Sequence, residues 1–246
     1  MRAPRLLAVV SAVFVVWLVP AASAQTGDLL PDLGMAPITT VYIDTTTIPG
    51  HRLLRYNALL ANVGAGAFEV VGSRSSTTDP SMSVVQDIYQ SGGGFRSVST
   101  SATMQYQVDA RWRLEDLEGG WLQTVGGQRL VALYKHWYCA LDDDHYSPNL
   151  PDSPPTVGYT GNCGRDQPDL LSMTMGVSVG WADNYEASDF RQFIDITSVP
   201  NGAYYLYATA DPNGYFTESS TANNTTWDKI RINQNGVKIL QYGPHA

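Results

Sequence analysis

Residues 192–209, QFIDITSVPNGAYYLYAT, set two runs of β-branched and aromatic residues on either side of Pro200-Asn201-Gly202. Proline fixes its own φ and Asn-Gly tolerates positive φ, so this triplet punctuates the chain. It predicts a hairpin of 192–197 with 203–209. The pattern repeats outward. Downstream, 227–232 and 236–242 face each other across Asn233-Gln234-Asn235. Upstream, 83–89 and 101–108 flank Gly92-Gly93-Gly94, and 51–68 reads as a strand, a turn at Gly64-Ala65-Gly66 and the start of a second strand. Residues 129–141, rich in Tyr, Val, Leu and Trp, read as a central strand. Short strands at this spacing predict an all-β chain, a single β-sandwich-like domain with long loops and little helix. No segment has helical periodicity.

Composition agrees. Of 246 residues, 43% are apolar, 11% aromatic and only 15% charged, against about a quarter in ordinary soluble domains, which argues against bundles and coiled coils. Fifteen basic against 23 acidic residues leave −8 with no basic cluster, so nucleic acid is excluded as a partner class.

The amino terminus reads as an address. Arg2 and Arg5 precede an apolar run over 6–19, and Ala22-Ser23-Ala24 supplies small residues for cleavage before Gln25. This is a secretory signal peptide over 1–24, leaving a β domain over 25–246 and placing the protein outside the cell. The run falls short of the roughly 20 residues that span a bilayer, and nothing later approaches that length. Removing 1–24 removes two arginines and no acid, so the charge moves from −8 to −10. In an oxidising compartment Cys139 and Cys163 form a disulfide by default, worth about 3 kcal/mol, with two free thiols as the alternative. The loop between them carries Asp142-Asp143-Asp144, read as a solvated charge run, and a proline-rich stretch over 151–155.

Residues 176–197 (GVSVGWADNYEASDFRQFIDIT) and 202–224 (GAYYLYATADPNGYFTESSTANN) resemble the catalytic domain of the lysyl oxidase family. Leu30-Pro31-Asp32-Leu33 is similar to that domain's opening, 51–56 (HRLLRY) to its first strand and 135–139 (KHWYC) to the strand bearing its cofactor lysine. The resemblance implies a copper amine oxidase that converts peptidyl lysine or other primary amines to aldehydes through a lysine tyrosylquinone. Lys135 and Tyr185 fall on the two precursors of that quinone.

The copper site departs from the family. Its three histidines alternate along one strand, and aligning Trp112 and Asp116 puts Asp109, Arg111 and Arg113 at those positions, on one strand face. Arginine does not deprotonate in a protein and offers no lone pair, so two of three ligands are lost. Copper and the quinone are therefore expected to be absent. Asp109, Glu115, Asp116 or Glu118 would partner the guanidinium groups in a salt-bridge network; the opposite reading has the arginines binding a carboxylate or sulfate. The histidines His51, His136, His145 and His245 show no ligand spacing among themselves.

The resemblance also implies a calcium site, whose ligands fall on Asp32, the Leu33 carbonyl, Glu218, Ser220, Asn223 and Asn224. These are hard oxygen donors of the kind calcium takes, although Ser220 stands where the family has an acid. Alternatively, Asn223 and Asn224 only make turn bonds to the backbone. Asn223-Asn224-Thr225 also reads as a glycosylation acceptor.

Three functions follow in order: a secreted, catalytically degenerate lysyl oxidase relative that binds an extracellular or cell-surface protein or polymer; an active amine oxidase with other copper ligands; or an unrelated β-sandwich adhesion module.

Overall fold

The computed structural model describes residues 27–234 and 236–246; the leader expected at 1–24 lies outside them. The described chain holds β-strands in four antiparallel sheets and no helix. With strands numbered along the chain, the largest sheet runs β12 (Trp137–Tyr138), β9 (Arg111–Glu115), β8 (Phe95–Gln107), β7 (Ser81–Gln90), β6 (Phe68–Ser73) and β13 (Ser172–Val177), with β1 (Asp28–Leu29) against β7. A second sheet runs β11 (Arg129–Ala132), β10 (Glu118–Thr124), β16 (Gly202–Ala210), β17 (Thr225–Asn233) and β18 (Gly236–Tyr242). Two small sheets complete the set: β14 (Ala182–Tyr185) with β5 (Ala58–Asn62) and β2 (Leu33–Met35), and β15 (Ile194–Asp195) with β4 (Leu53–Tyr56) and β3 (Val41–Asp44).

One hydrophobic cluster draws on every sheet. Met82, Met104 and Trp112 meet Leu122, Leu206 and Ile230 from the second sheet, with Leu60, Tyr185, Leu54 and Ile194 from the small ones. The all-β expectation therefore holds, with the sheets sharing one core. The long β7–β8 hairpin turns where the glycine triplet predicts, with Gly93 and Gly94 at φ 89° and 79°, conformations that side chains other than glycine rarely adopt. The β17–β18 hairpin also forms as expected. No helix among the described residues is long and apolar enough to cross a membrane.

Two strand expectations fail, each for a tertiary reason. The segment 192–197 does not pair with 203–209. β15 pairs with β4, Ile194 opposite Leu54, while both edges of β16 are taken by β10 and β17. Ile194 and Ile196 are fully buried, and the Val199 N–H turns back to the Ile196 carbonyl, so the chain bends before the turn signal is reached. Nor is 129–141 a central strand. It begins as the edge strand β11, donates from Leu133 to the Gly120 carbonyl, then leaves that sheet and joins the largest one at Trp137, opposite Glu115. Lys135 sits at this crossing between sheets rather than within a strand.

Cys139 and Cys163 are joined, with Cα atoms 6.0 Å apart. The acidic run inside their loop is not wholly solvated. Asp143 and Asp144 are exposed, but Asp142 is buried and accepts four hydrogen bonds: from the Gly158 N–H (2.7 Å), the Tyr159 N–H (3.1 Å), and the Ser178 N–H and hydroxyl (2.7 Å each). A loop that cannot bury apolar surface is organised around one carboxylate instead.

Candidate functional site

The crossing at Lys135 opens onto a cavity of about 640 Å³, walled by residues of β9, the 134–141 segment, β14 and the loop over 189–191. On β14, paired with β5, Asp183 and Tyr185 are buried and Asn184 half-buried, and all three reach the cavity. On β9, Trp112 and Leu114 go into the core, leaving Arg111 and Arg113 half-buried toward the cavity.

At the floor, Lys135 Nζ lies 3.3 Å from the centroid of the Tyr185 ring and 5.0 Å from that of Tyr138. The two rings meet edge to face at 5.2 Å. A cation over two ring faces gains from their quadrupoles, more so where water is thinned. Lys135 is only 8% exposed and has no carboxylate within ion-pair distance among the described residues. Burial pushes its pKa down, against the opposing charges of Glu118, Asp183 and Asp189. Tyr185 donates its hydroxyl to Asp183 Oδ2 at 2.5 Å, with the Cys139 carbonyl 3.3 Å away. Burial pushes Asp183 well above the usual carboxylate range.

Beneath Lys135 is a second buried polar layer. Glu118 opens β10 at 1% exposure, and both its oxygens lack a hydrogen-bond partner among the described residues. Gln192 is fully buried, and its amide oxygen and nitrogen lack partners too, as does the hydroxyl of Tyr56. Burial raises the Glu118 pKa, with Lys135 opposing. Orphaned polar atoms of this kind are retained where a site needs them or ordered water serves them.

The three positions that the resemblance aligns with copper ligands do not share a strand face, contrary to expectation. Asp109 lies in the turn before β9, where Ala110 takes φ 60°, and it reaches back to pair with Arg113. Of the acids considered for the guanidinium groups, only Asp109 serves. Glu115 accepts from the Thr103 hydroxyl, Asp116 from the Asn213 amide while pairing with His136, and Glu118 faces Lys135. Arg111 stays free of any carboxylate among the described residues, and its Nε is buried without a partner. Copper does not fit this donor set, because a guanidinium has no lone pair to give. The histidines offer no substitute. His51 pairs with Asp195, His136 with Asp116, His145 stacks on Trp181 at 4.3 Å, and His245 lies near the carboxyl terminus. Among the described residues no three His, Cys, Asp or Glu side chains gather as a metal site.

The residues expected to hold calcium do converge. Glu218 Oε2 accepts from the Leu33 N–H at 2.6 Å and Oε1 from the Asn224 amide at 2.9 Å, while Asp32 Oδ2 accepts from the Ser219 hydroxyl at 3.2 Å. The Asn223 and Asn224 carbonyls bond the N–H groups of Met35 and Ala210, so turn bonds are present as well. Ser220 bonds only the N–H of Ala222 and stays outside the cluster's bonds. The turn at Gly64 and Gly66 holds Asp32 in place: a Cβ at Gly64 would come within 2.5 Å of backbone atoms at 30–32, so only glycine permits this approach. Three side-chain oxygens, Asp32 Oδ1, Asn223 Oδ1 and Asn224 Oδ1, are buried without partners.

Residues 167–241 match the lysyl oxidase family model. Over that stretch the chain is lysyl oxidase-like. The matched segment carries Asp183, Tyr185, Gln192 and the whole 218–224 turn; Lys135 and the arginines lie outside it. No match was found among curated proteins. Over 167–241 the match favours a lysyl oxidase-like chain over the unrelated adhesion module. Sequence reasoning missed Asp183, which lines the cavity, and Gln192, which is buried near it. Asp183 was within reach, since it stands two residues before Tyr185 on a strand; nothing local marks Gln192 as buried.

Proposed function

We propose that this is an extracellular lysyl oxidase-like binding protein that keeps the family's pocket but not its copper chemistry, engaging a surface protein or polymer outside the cell. The observation that carries this reading is the pair Arg111 and Arg113 on the wall where metal donors would be needed. Two fixed positive charges repel a cupric ion and cannot ligate it. Without metal the quinone has no route of formation, so Lys135 and Tyr185 remain an amine and a phenol. Asp183 then serves to accept the Tyr185 hydroxyl, and Lys135 offers an amine held in no ion pair to whatever enters. Dialysis against excess copper, followed by metal analysis, tests this. The purified protein should retain no stoichiometric copper, and retention of one ion per chain would overturn the reading.

The reading includes calcium. Asp32, Glu218, Asn223, Asn224 and the Leu33 carbonyl are the groups that would hold it, and the three partnerless oxygens support that fit. Calcium would neutralise two acids and tie the start of the domain to the turn before β17. An ion bound only by the folded state stabilises it by mass action, so a chelator should lower the melting temperature and added calcium should restore it. Superimposed melting curves with and without calcium would count against the site.

A further inference from the structure

The cavity at Lys135 combines four features that the loss of copper does not explain: an unpaired buried amine, an unpaired guanidinium, a buried acid near the amine and an open mouth. We infer that Lys135 captures small carbonyl acids as an imine, with the ligand's aldehyde or ketone carbon bonded to Lys135 Nζ and its carboxylate held at Arg111. This rests on the proposed reading in one respect, that Lys135 is a free amine.

The amine is suited to this in position and state. It is 8% exposed yet lines the cavity, and no carboxylate pins it in an ion pair. Burial and the neighbouring Arg113 charge both favour its neutral, nucleophilic form, the means by which imine-forming lysines are activated. Arg111, on the same wall, has no acid partner among the described residues, so its guanidinium meets the cavity uncompensated. A guanidinium recognises a carboxylate through charge-assisted hydrogen bonds. Of the cavity's acids, Asp109 is already paired with Arg113, and Asp183 accepts the Tyr185 hydroxyl while burial raises its pKa; Asp143 is exposed and Asp189 accepts the N–H of Glu186. The first two therefore oppose an entering carboxylate less than a free acid would. Tyr134 and Phe190, 56% and 70% exposed, form an apolar mouth with Arg191 over the Phe190 ring.

The chemistry balances without a further reagent. The Nζ lone pair attacks the carbonyl carbon, the C–N bond forms, and the C=O π pair moves to oxygen, which is protonated. Loss of that oxygen as water leaves C=N, so amine plus carbonyl gives imine plus water. Solvent entering the cavity supplies and retakes the proton, while burial raises the pKa of Glu118, whose charge is felt at Lys135.

The test is trapping by borohydride in the purified protein, with pyruvate as the carbonyl acid and acetone as its neutral counterpart, read by intact mass and peptide mapping. Pyruvate should label Lys135 and spare the half-buried Lys229 on β17 and the exposed Lys238 on β18. It should do so roughly ten-fold faster than acetone, the worth of one charge-assisted hydrogen bond. R111M should erase that preference while leaving acetone labelling unchanged, and K135R should abolish the adduct. Labelling spread evenly over the three lysines, or equal rates for pyruvate and acetone, would overturn the inference. So would an unlabelled Lys135 in protein of unmodified mass, which leaves the binding-protein reading standing. A mass showing a Lys135–Tyr185 crosslink would overturn both.

Discussion

Replacing Asp142 with alanine should destabilise the protein by on the order of 3 kcal/mol or more, about 6–12 °C in melting temperature for a chain of this size. The carboxylate accepts from two loop N–H groups, at Gly158 and Tyr159, and from both donors of Ser178. Alanine removes the acceptor from all four donors at once and strands the two of Ser178 in a buried place, where the cost of an unmet donor exceeds the net worth of a bond made. The effect should reach the cavity, because Leu141 and Asp143 on either side of Asp142 line it. D142N should recover only part of the loss, since one of its two atoms is itself a donor. Chemical denaturation of the three proteins checks the ranking; an alanine variant within 1 kcal/mol of wild type, on the order of an ordinary surface change, would refute the assigned role.

Opening the Cys139–Cys163 bridge should cost about 3 kcal/mol, the chain-entropy expectation for a loop of this length, and should disturb the site as well. The Cys139 carbonyl lies 3.3 Å from the Tyr185 hydroxyl, and the Cys163 carbonyl accepts from the Trp112 N–H on β9. The bridge thus ties the Lys135 segment to the arginine strand. A double serine variant should melt at least several degrees lower and lose any ligand-dependent stabilisation, measured by thermal melts with and without pyruvate. Unaltered melting would show that the sheets alone hold the segment.

How much of this was legible in the sequence depends on range. The β7–β8 and β17–β18 hairpins were readable because glycine and asparagine clusters sit between alternating runs, a signal contained within 20 or so residues. The turn at Pro200-Asn201-Gly202 was equally strong locally, yet β15 went to β4, because burying Ile194 and Ile196 against Leu54 outweighs a turn preference. The segment around Lys135 is apolar enough for a strand, and no local feature says that it changes sheets midway. Asp142 shows the same limit in electrostatics: beside two exposed acids it reads as solvated, and only the folded loop brings four donors to it. At the site, Arg111 and Arg113 could be judged from residue chemistry alone, since no fold gives arginine a lone pair. The orphaned Glu118 and Gln192 required the packed structure, because their meaning lies in what fails to face them.

The central claim is that the pocket no longer supports copper-dependent amine oxidation. Peroxide release from a primary amine, assayed on purified protein after copper reconstitution, tests it most directly. The account predicts no peroxide above the protein-free background. Sustained, amine-dependent peroxide that disappears in K135R and Y185F would contradict it.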